Sequence, residues 1–126
     1  MAKKILMIDD EPEVCAVVCE FLEKKGFRTA YVTDGKEGIK AAQGIVPDII
    51  LLDITMPKMD GFAVLEKLKK SQTTMSIPVI MLTGRGDEES KLKAARLYNE
   101  GYITKPFRMQ DIESKIVKTL RLPYNK

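Results

Sequence analysis

Asp48-Ile49-Ile50-Leu51-Leu52-Asp53-Ile54-Thr55-Met56-Pro57-Lys58-Met59-Asp60-Gly61 is the stretch whose reading decides the fold. Four consecutive apolar residues, Ile49 to Leu52, are too few for a membrane span and carry no polar alternation, so both faces are expected to be buried, as in a central strand of a parallel sheet. The run stops on an acid, Asp53. Loop chemistry follows at Pro57, and Asp60-Gly61 offers a helix start, with Asp60 as N-cap. An acid at the carboxyl end of a central parallel strand stands where open α/β sheets keep their sites. Alone it is equally a turn or cap residue.

Outward from this stretch the pattern repeats. Lys4 to Ile8 is a second apolar run, ending at Asp9-Asp10. Glu11-Pro12 then opens a helix whose apolar stripe is read as Val14, Val17, Val18, Phe21 and Leu22, with Gly26 as its stop. Arg28 to Val32 reads as a more polar edge strand, and Gly35 to Gln43 as a second helix closed by Gly44 and Pro47. The helix after Asp60 carries Phe62, Leu65 and Leu68 on one face. Ile77 to Leu82 is a further buried strand ending at Thr83. Past the Gly84-Arg85-Gly86 loop, Asp87 can cap a fourth helix bearing Leu92, Ala95 and Tyr98. A short strand at Gly101 to Thr104 leads to Lys105-Pro106-Phe107, and a last helix from about Met109 to Leu120 is expected to bury Met109, Ile112, Ile116 and Leu120. Strands alternating with helices five times over imply βαβ units and a parallel sheet covered on both faces. Right-handed crossovers bring the carboxyl ends of the strands to one edge, which collects Asp9, Asp10, Asp53, Thr83 and Lys105.

Composition excludes several classes. The chain has 126 residues, 44% of them hydrophobic and 31% charged, an ordinary soluble domain with one sizeable core. Its net charge of +3, from 21 basic and 18 acidic residues, is too small and scattered to argue for direct nucleic-acid binding. The apolar run near the amino terminus is too short for a signal peptide and no long apolar stretch follows, so the chain reads as cytoplasmic, without a membrane role. Cys15 and Cys19 read as reduced thiols beside the buried stripe of the first helix. With no histidine in the chain, there is neither a Cys/His metal set nor a histidine triad.

Three converging carboxylates repel one another, and a hard divalent cation resolves the conflict: oxygen ligands suit Mg²⁺. Three acids, one divalent metal and the Lys105 ammonium sum to zero formal charge. Such a cleft can receive a phosphoryl group, with Asp53 as a carboxylate nucleophile and the metal and Lys105 stabilising the phosphoryl oxygens. Each residue has a plainer role when taken singly: Asp9-Asp10 as helix caps, Thr83 as a strand residue, Lys105 as a solvated cation before a turn, Tyr102 as half-buried core. Their joint placement makes the site.

The motifs Ile8-Asp9-Asp10-Glu11-Pro12, Leu51 to Gly61, Pro78-Val79-Ile80-Met81-Leu82-Thr83-Gly84 and Tyr102-Ile103-Thr104-Lys105-Pro106-Phe107 resemble those of response-regulator receiver domains, the phosphoacceptor modules of two-component signalling. The resemblance implies a flavodoxin-like, doubly wound α/β fold with a five-stranded parallel sheet in the order 2-1-3-4-5 and five helices. It implies a single receiver domain over residues 1–126, its core at about 4–120. It further implies that Asp53 is the phosphoacceptor and that Asp9, Asp10, Asp53 and the backbone carbonyl of Thr55 hold Mg²⁺, or Mn²⁺ in its place. Lys105 would pair with the phosphoryl group, with a cis bond to Pro106, and Thr83 and Tyr102 would form the switch. The module would catalyse its own phosphorylation and dephosphorylation. The donor would be a histidine kinase or histidine phosphotransfer protein docking at Glu13, Val14 and Val17 and at Pro106-Phe107, and the output face would be the fourth helix, last strand and last helix.

Two departures stand out. Tyr98-Asn99 replaces the Gly-Ala pair common near the end of the fourth helix, and the rim is expected to carry Thr55 and Arg85, the latter either tuning phosphoryl lifetime or standing as a solvated loop cation. Other readings are weaker. A flavodoxin-like cofactor binder would want a phosphate-cradling loop where Asp-Asp-Glu-Pro stands. An aspartyl-phosphate hydrolase would want a second acid where Thr55 stands. A non-phosphorylated interaction module would not need the complete acid and lysine set, and a receiver cut from a longer DNA-binding regulator would share every feature above.

Overall fold

The structure, a computed structural model, describes residues 2–54, 56, 60–84 and 101–123. Five strands, β1 (Lys4–Ile8), β2 (Arg28–Val32), β3 (Ile49–Asp53), β4 (Val79–Thr83) and β5 (Tyr102–Thr104), form one parallel sheet in the order β2-β1-β3-β4-β5. Four helices are present among the described residues: α1 (Pro12–Lys24), α2 (Gly35–Ile45), α3 (Gly61–Lys70) and α4 (Met109–Leu120). The fifth helix expected, the one from Asp87 through Tyr98, falls outside the described residues, as do Arg85 and Asn99.

The alternation along each central strand divides the core in two. Leu6 and Ile8, Ile50 and Leu52, and Val79 and Met81 pack with Val64, Leu65 and Leu68 of α3 and Ala42 of α2. Ile5 and Met7, Ile49 and Leu51, and Ile80 and Leu82 face the other way, onto Cys15, Val18 and Leu22 of α1 and Ile112 and Ile116 of α4. Period-two side chains on fully buried strands serve both layers at once, which is why these runs show no polar alternation. Edge strand β2 is only partly buried, as its polar composition implies.

Several helix faces differ from the sequence expectation. In α1 the buried positions are Cys15, Val18, Cys19 and Leu22, while Val17 is 55% exposed. The cysteines are therefore in the stripe, not beside it, because a small apolar thiol fits close against the sheet. In α3 Val64 joins Leu65 and Leu68 in the core while Phe62 is half-buried, and in α4 Val117 is buried while Met109 and Leu120 are only partly so. The second helix continues through Gly44 to Ile45 and ends at Val46, whose φ of 49° is left-handed. The following Pro47 disfavours a right-handed helical residue before it, so the stop falls there and not at Gly44.

Two glycines seat helices against the site strands. Gly61, the first residue of α3, donates its N–H to the Ile54 carbonyl at 2.7 Å. A Cβ there would meet the Asp53 carbonyl oxygen and would lie 2.5 Å from Ile54 Cα. A Cβ on Gly38 of α2 would lie 2.7 Å from Ile8 Cδ1. No helix among the described residues is long and apolar enough to cross a membrane.

Candidate functional site

The sheet order makes β1 and β3 neighbours, so Asp9, just beyond β1, and Asp53, the last residue of β3, end side by side. Asp10 follows Asp9, and one carboxylate oxygen from each of the three acids lies within 4.8 Å of the others. Asp9 and Asp53 are buried and Asp10 is half-buried. The turn after β1 is held by the chain itself: the Asp9 N–H donates to the Val32 carbonyl, and Asp9 Oδ1 accepts from the Glu11 N–H at 3.0 Å. The Cys15 thiol donates to the Asp9 carbonyl oxygen at 3.4 Å, bracing the same peptide from below.

Lys105, directly after β5, reaches across this edge. Its Nζ lies 3.1 Å from Asp9 Oδ2, 3.5 Å from Asp53 Oδ2 and 3.5 Å from Glu11 Oε1. The Lys105–Pro106 peptide is cis, in agreement with the expectation. Burial is the largest influence on the Lys105 ammonium and acts to lower its pKa. The charges of Asp53, Asp9 and Glu11 and the hydrogen bond to Asp9 together outweigh it, so the net shift is upward. At Asp9 burial also dominates and raises the carboxyl above the usual range, although the Glu11 N–H and Lys105 pull it down. One ammonium does not fully compensate this cleft.

Thr83 closes β4 one residue past Leu82, the register partner of Asp53. It is fully buried, and its hydroxyl donates toward the Ile103 carbonyl at 3.4 Å, facing β5. Tyr102 on that strand is 40% exposed. Thr55, the expected fourth oxygen donor, lies outside the described residues. The structure thus brings together Asp9, Asp10, Asp53 and Lys105 and sets Thr83 at the adjacent strand end.

Glu11 is the site residue that the sequence reading left as a helix start. A glutamate at an N-cap, where short side chains are preferred, was the available signal. Beside it, a cavity of about 400 Å³ runs between α1 and the segment after β5, with an apolar lining from Val14, Val17, Pro106, Phe107 and Met109 and with Glu11, Glu13 and Lys105 at its edge. Val17 is exposed because it belongs to this groove and not to the core.

The donor set is all oxygen, with no histidine in the chain and the nearest thiol spent on a backbone carbonyl. Such a set suits a hard divalent cation. The three acids and the one bridging ammonium leave two negative charges uncompensated, which fits the uptake of one divalent cation.

Comparisons with known proteins agree with this architecture. The family model for the response regulator receiver domain matches residues 5–117. The chain is 35% identical over 121 residues to the alkaline phosphatase synthesis transcriptional regulatory protein PhoP of Bacillus subtilis, covering 96% of this chain and 50% of that protein. It is equally 35% identical over 121 residues to the phosphate regulon transcriptional regulatory protein PhoB of Escherichia coli, covering 96% of this chain and 53% of the relative. The chain therefore spans about half the length of these curated relatives. A response regulator receiver domain protein from Clostridium thermocellum superposes with a TM-score of 0.87 at 30% identity, covering 96% of this chain and 95% of that one. With four strand ends, a bridging lysine and a matching family model over most of its length, the chain belongs to the response regulator receiver domain family.

Proposed function

We propose that this domain is a phosphorylation-dependent switch in which Asp53 accepts a phosphoryl group. The observation that carries the reading is the Lys105 ammonium set between the Asp9 and Asp53 carboxylates, with all three acids within 4.8 Å of one another. Asp9, Asp10 and Asp53, with the carbonyl of Thr55, would hold Mg²⁺, or Mn²⁺ in its place. When bound, such a cation supplies positive charge to phosphoryl oxygens.

The chain's own groups do the rest. A carboxylate oxygen of Asp53 attacks phosphorus, a new P–O bond forms, and the P–N bond to the donor imidazole breaks. Lys105 turns to a phosphoryl oxygen and neutralises charge there. The Thr83 hydroxyl turns from β5 toward the phosphoryl group, and Tyr102 moves inward from its exposed position, altering the surface formed by β5 and α4. Attack of water on phosphorus breaks the bond to the Asp53 oxygen, releases inorganic phosphate and resets the domain, at a rate that Arg85 would tune.

The donor, a histidine kinase or histidine phosphotransfer protein, would present its phosphohistidine beside the apolar groove of Val14, Val17 and Phe107. The output partner would engage β5, α4 and the segment between β4 and β5. Because the chain covers only half of PhoP and PhoB, a covalently attached DNA-binding output domain is the second reading of how the signal leaves.

Intact mass after incubation with acetyl phosphate tests the proposal. A single labile phosphoryl adduct that requires Mg²⁺ and disappears in Asp53→Asn and in chelator is the expected result. An adduct that persists in Asp53→Asn, or none under any condition, would refute the assignment.

A further inference from the structure

Glu11 occupies the N-cap of α1, where a short polar side chain ordinarily turns back onto the helix. Its side chain makes no such bond. Its carboxylate lies instead 3.5 Å from Lys105 Nζ, while its backbone N–H holds Asp9 Oδ1 at 3.0 Å. One residue is thus tied to the acids through its main chain and to the cation through its side chain. Of the three carboxylates around Lys105, those of Asp9 and Asp53 are buried and that of Glu11 is 56% exposed. Glu11 therefore stands at the mouth of the cleft, on the groove side.

We propose that Glu11 is a positioning residue that anchors Lys105 at the mouth of the cleft, favouring entry of the divalent cation and discriminating against small anionic phosphodonors. The proposal rests on the phosphoacceptor reading above. A cation entering between Asp9 and Asp53 must displace Lys105 from Asp9 Oδ2, and Glu11 gives the ammonium an outward partner to stay with. The same negative charge attracts a cation and repels an anionic donor approaching through the mouth. Because Glu11 is exposed, its influence is screened: a unit charge within a Debye length of its target changes capture about threefold.

The two effects have opposite signs, and a helix cap would produce neither. In Glu11→Gln, Mg²⁺ affinity measured by calorimetry without donor is expected to weaken about threefold. At saturating Mg²⁺, kcat/KM for adduct formation is expected to rise about threefold with acetyl phosphate. It should rise less with phosphoramidate, which carries one negative charge fewer, and both gains should collapse in high salt. Glu11→Ser removes the charge but improves the cap, and is expected to behave as Glu11→Gln does. Glu11→Ser matching the parent, or unchanged Mg²⁺ affinity or donor rate in Glu11→Gln, would overturn the proposal. If the parent forms no adduct at all, the phosphoacceptor reading falls, and the Mg²⁺ titration alone decides the role of Glu11. A parent that binds no Mg²⁺ overturns it as well.

Discussion

Replacing Gly61 by alanine adds one methyl group at the junction between β3, which ends on Asp53, and α3 behind it. The new Cβ would lie 2.5 Å from Ile54 Cα and closer still to the Asp53 carbonyl oxygen, against an ordinary carbon contact of about 3.5–4.0 Å. Both obstacles are backbone, so no side chain can rotate away and α3 must retreat by about 1 Å. That movement strains the 2.7 Å hydrogen bond from Gly61 to Ile54. Overpacking costs about 1–3 kcal/mol and a weakened hydrogen bond about 1 kcal/mol. The helix propensity of alanine returns up to about 1 kcal/mol. The net expectation is a loss of about 1–3 kcal/mol, read in urea unfolding as a lower midpoint at unchanged slope. Gly44→Ala supplies the control: a Cβ there meets nothing within 4 Å, so this substitution should stabilise by about 0.5–1 kcal/mol. Because the retreat of α3 moves the main chain that carries Asp53, adduct formation in Gly61→Ala should also slow by about 10- to 100-fold. A Gly61→Ala protein as stable as Gly44→Ala would refute the close-approach argument.

Val46→Gly should stabilise the domain by about 1 kcal/mol in urea unfolding, because a β-branched residue at φ 49° carries a steric cost that glycine lacks; a loss of stability would refute this. The Cys15 thiol is pushed up to about 12, chiefly by burial and next by the Asp9 charge. Its contribution is therefore complete below about pH 9, where the unfolded thiol titrates, and is lost as pH rises toward 12. Unfolding free energies between pH 8.5 and 10.5 should fall more steeply for the parent than for Cys15→Ala, by up to about 1.4 kcal/mol per pH unit, and equal slopes would refute the assignment. Asp10→Asn should raise stability by about 1 kcal/mol without divalent cations, by relieving repulsion among the three acids, and should lack the further stabilisation by Mg²⁺ that is expected of the parent; thermal melts with and without Mg²⁺ check both halves.

The sheet and its acid edge were legible because their signals are strong and local. Ile5 to Ile8, Ile49 to Leu52 and Val79 to Leu82 are apolar on both faces, and each run ends in a polar residue that βαβ handedness sends to the same edge. Helix faces were less legible. In α1, apolar residues occupy two faces: Cys15, Val18, Cys19 and Leu22 meet the sheet, while Val14 and Val17 line the groove with Phe107. Periodicity reports that both faces are apolar and cannot say which one the sheet takes. The end of α2 was misplaced because Gly44 advertises a stop that the chain does not use, whereas the left-handed residue, Val46, is one whose side chain argues against that conformation. Glu11 was read for its place in a helix start, and its pairing with Lys105 depends on residues separated by 94 positions, which no local pattern encodes.

The strand order has a consequence for how the domain is made. After β2 has paired with one side of β1, each later strand adds to the opposite margin in the order of synthesis, β3, then β4, then β5. No strand has to insert between two that are already paired. Two of the three acids, Asp9 and Asp10, follow β1 and the third ends β3, whereas Lys105 follows β5, so a nascent chain emerging from the ribosome displays its anionic cluster well before Lys105 exists. Over that interval protons and metal ions from the surrounding solution can neutralise the cluster. On the proposed reading, a divalent cation would act on this chain first as an aid to assembly, and only later as part of its chemistry.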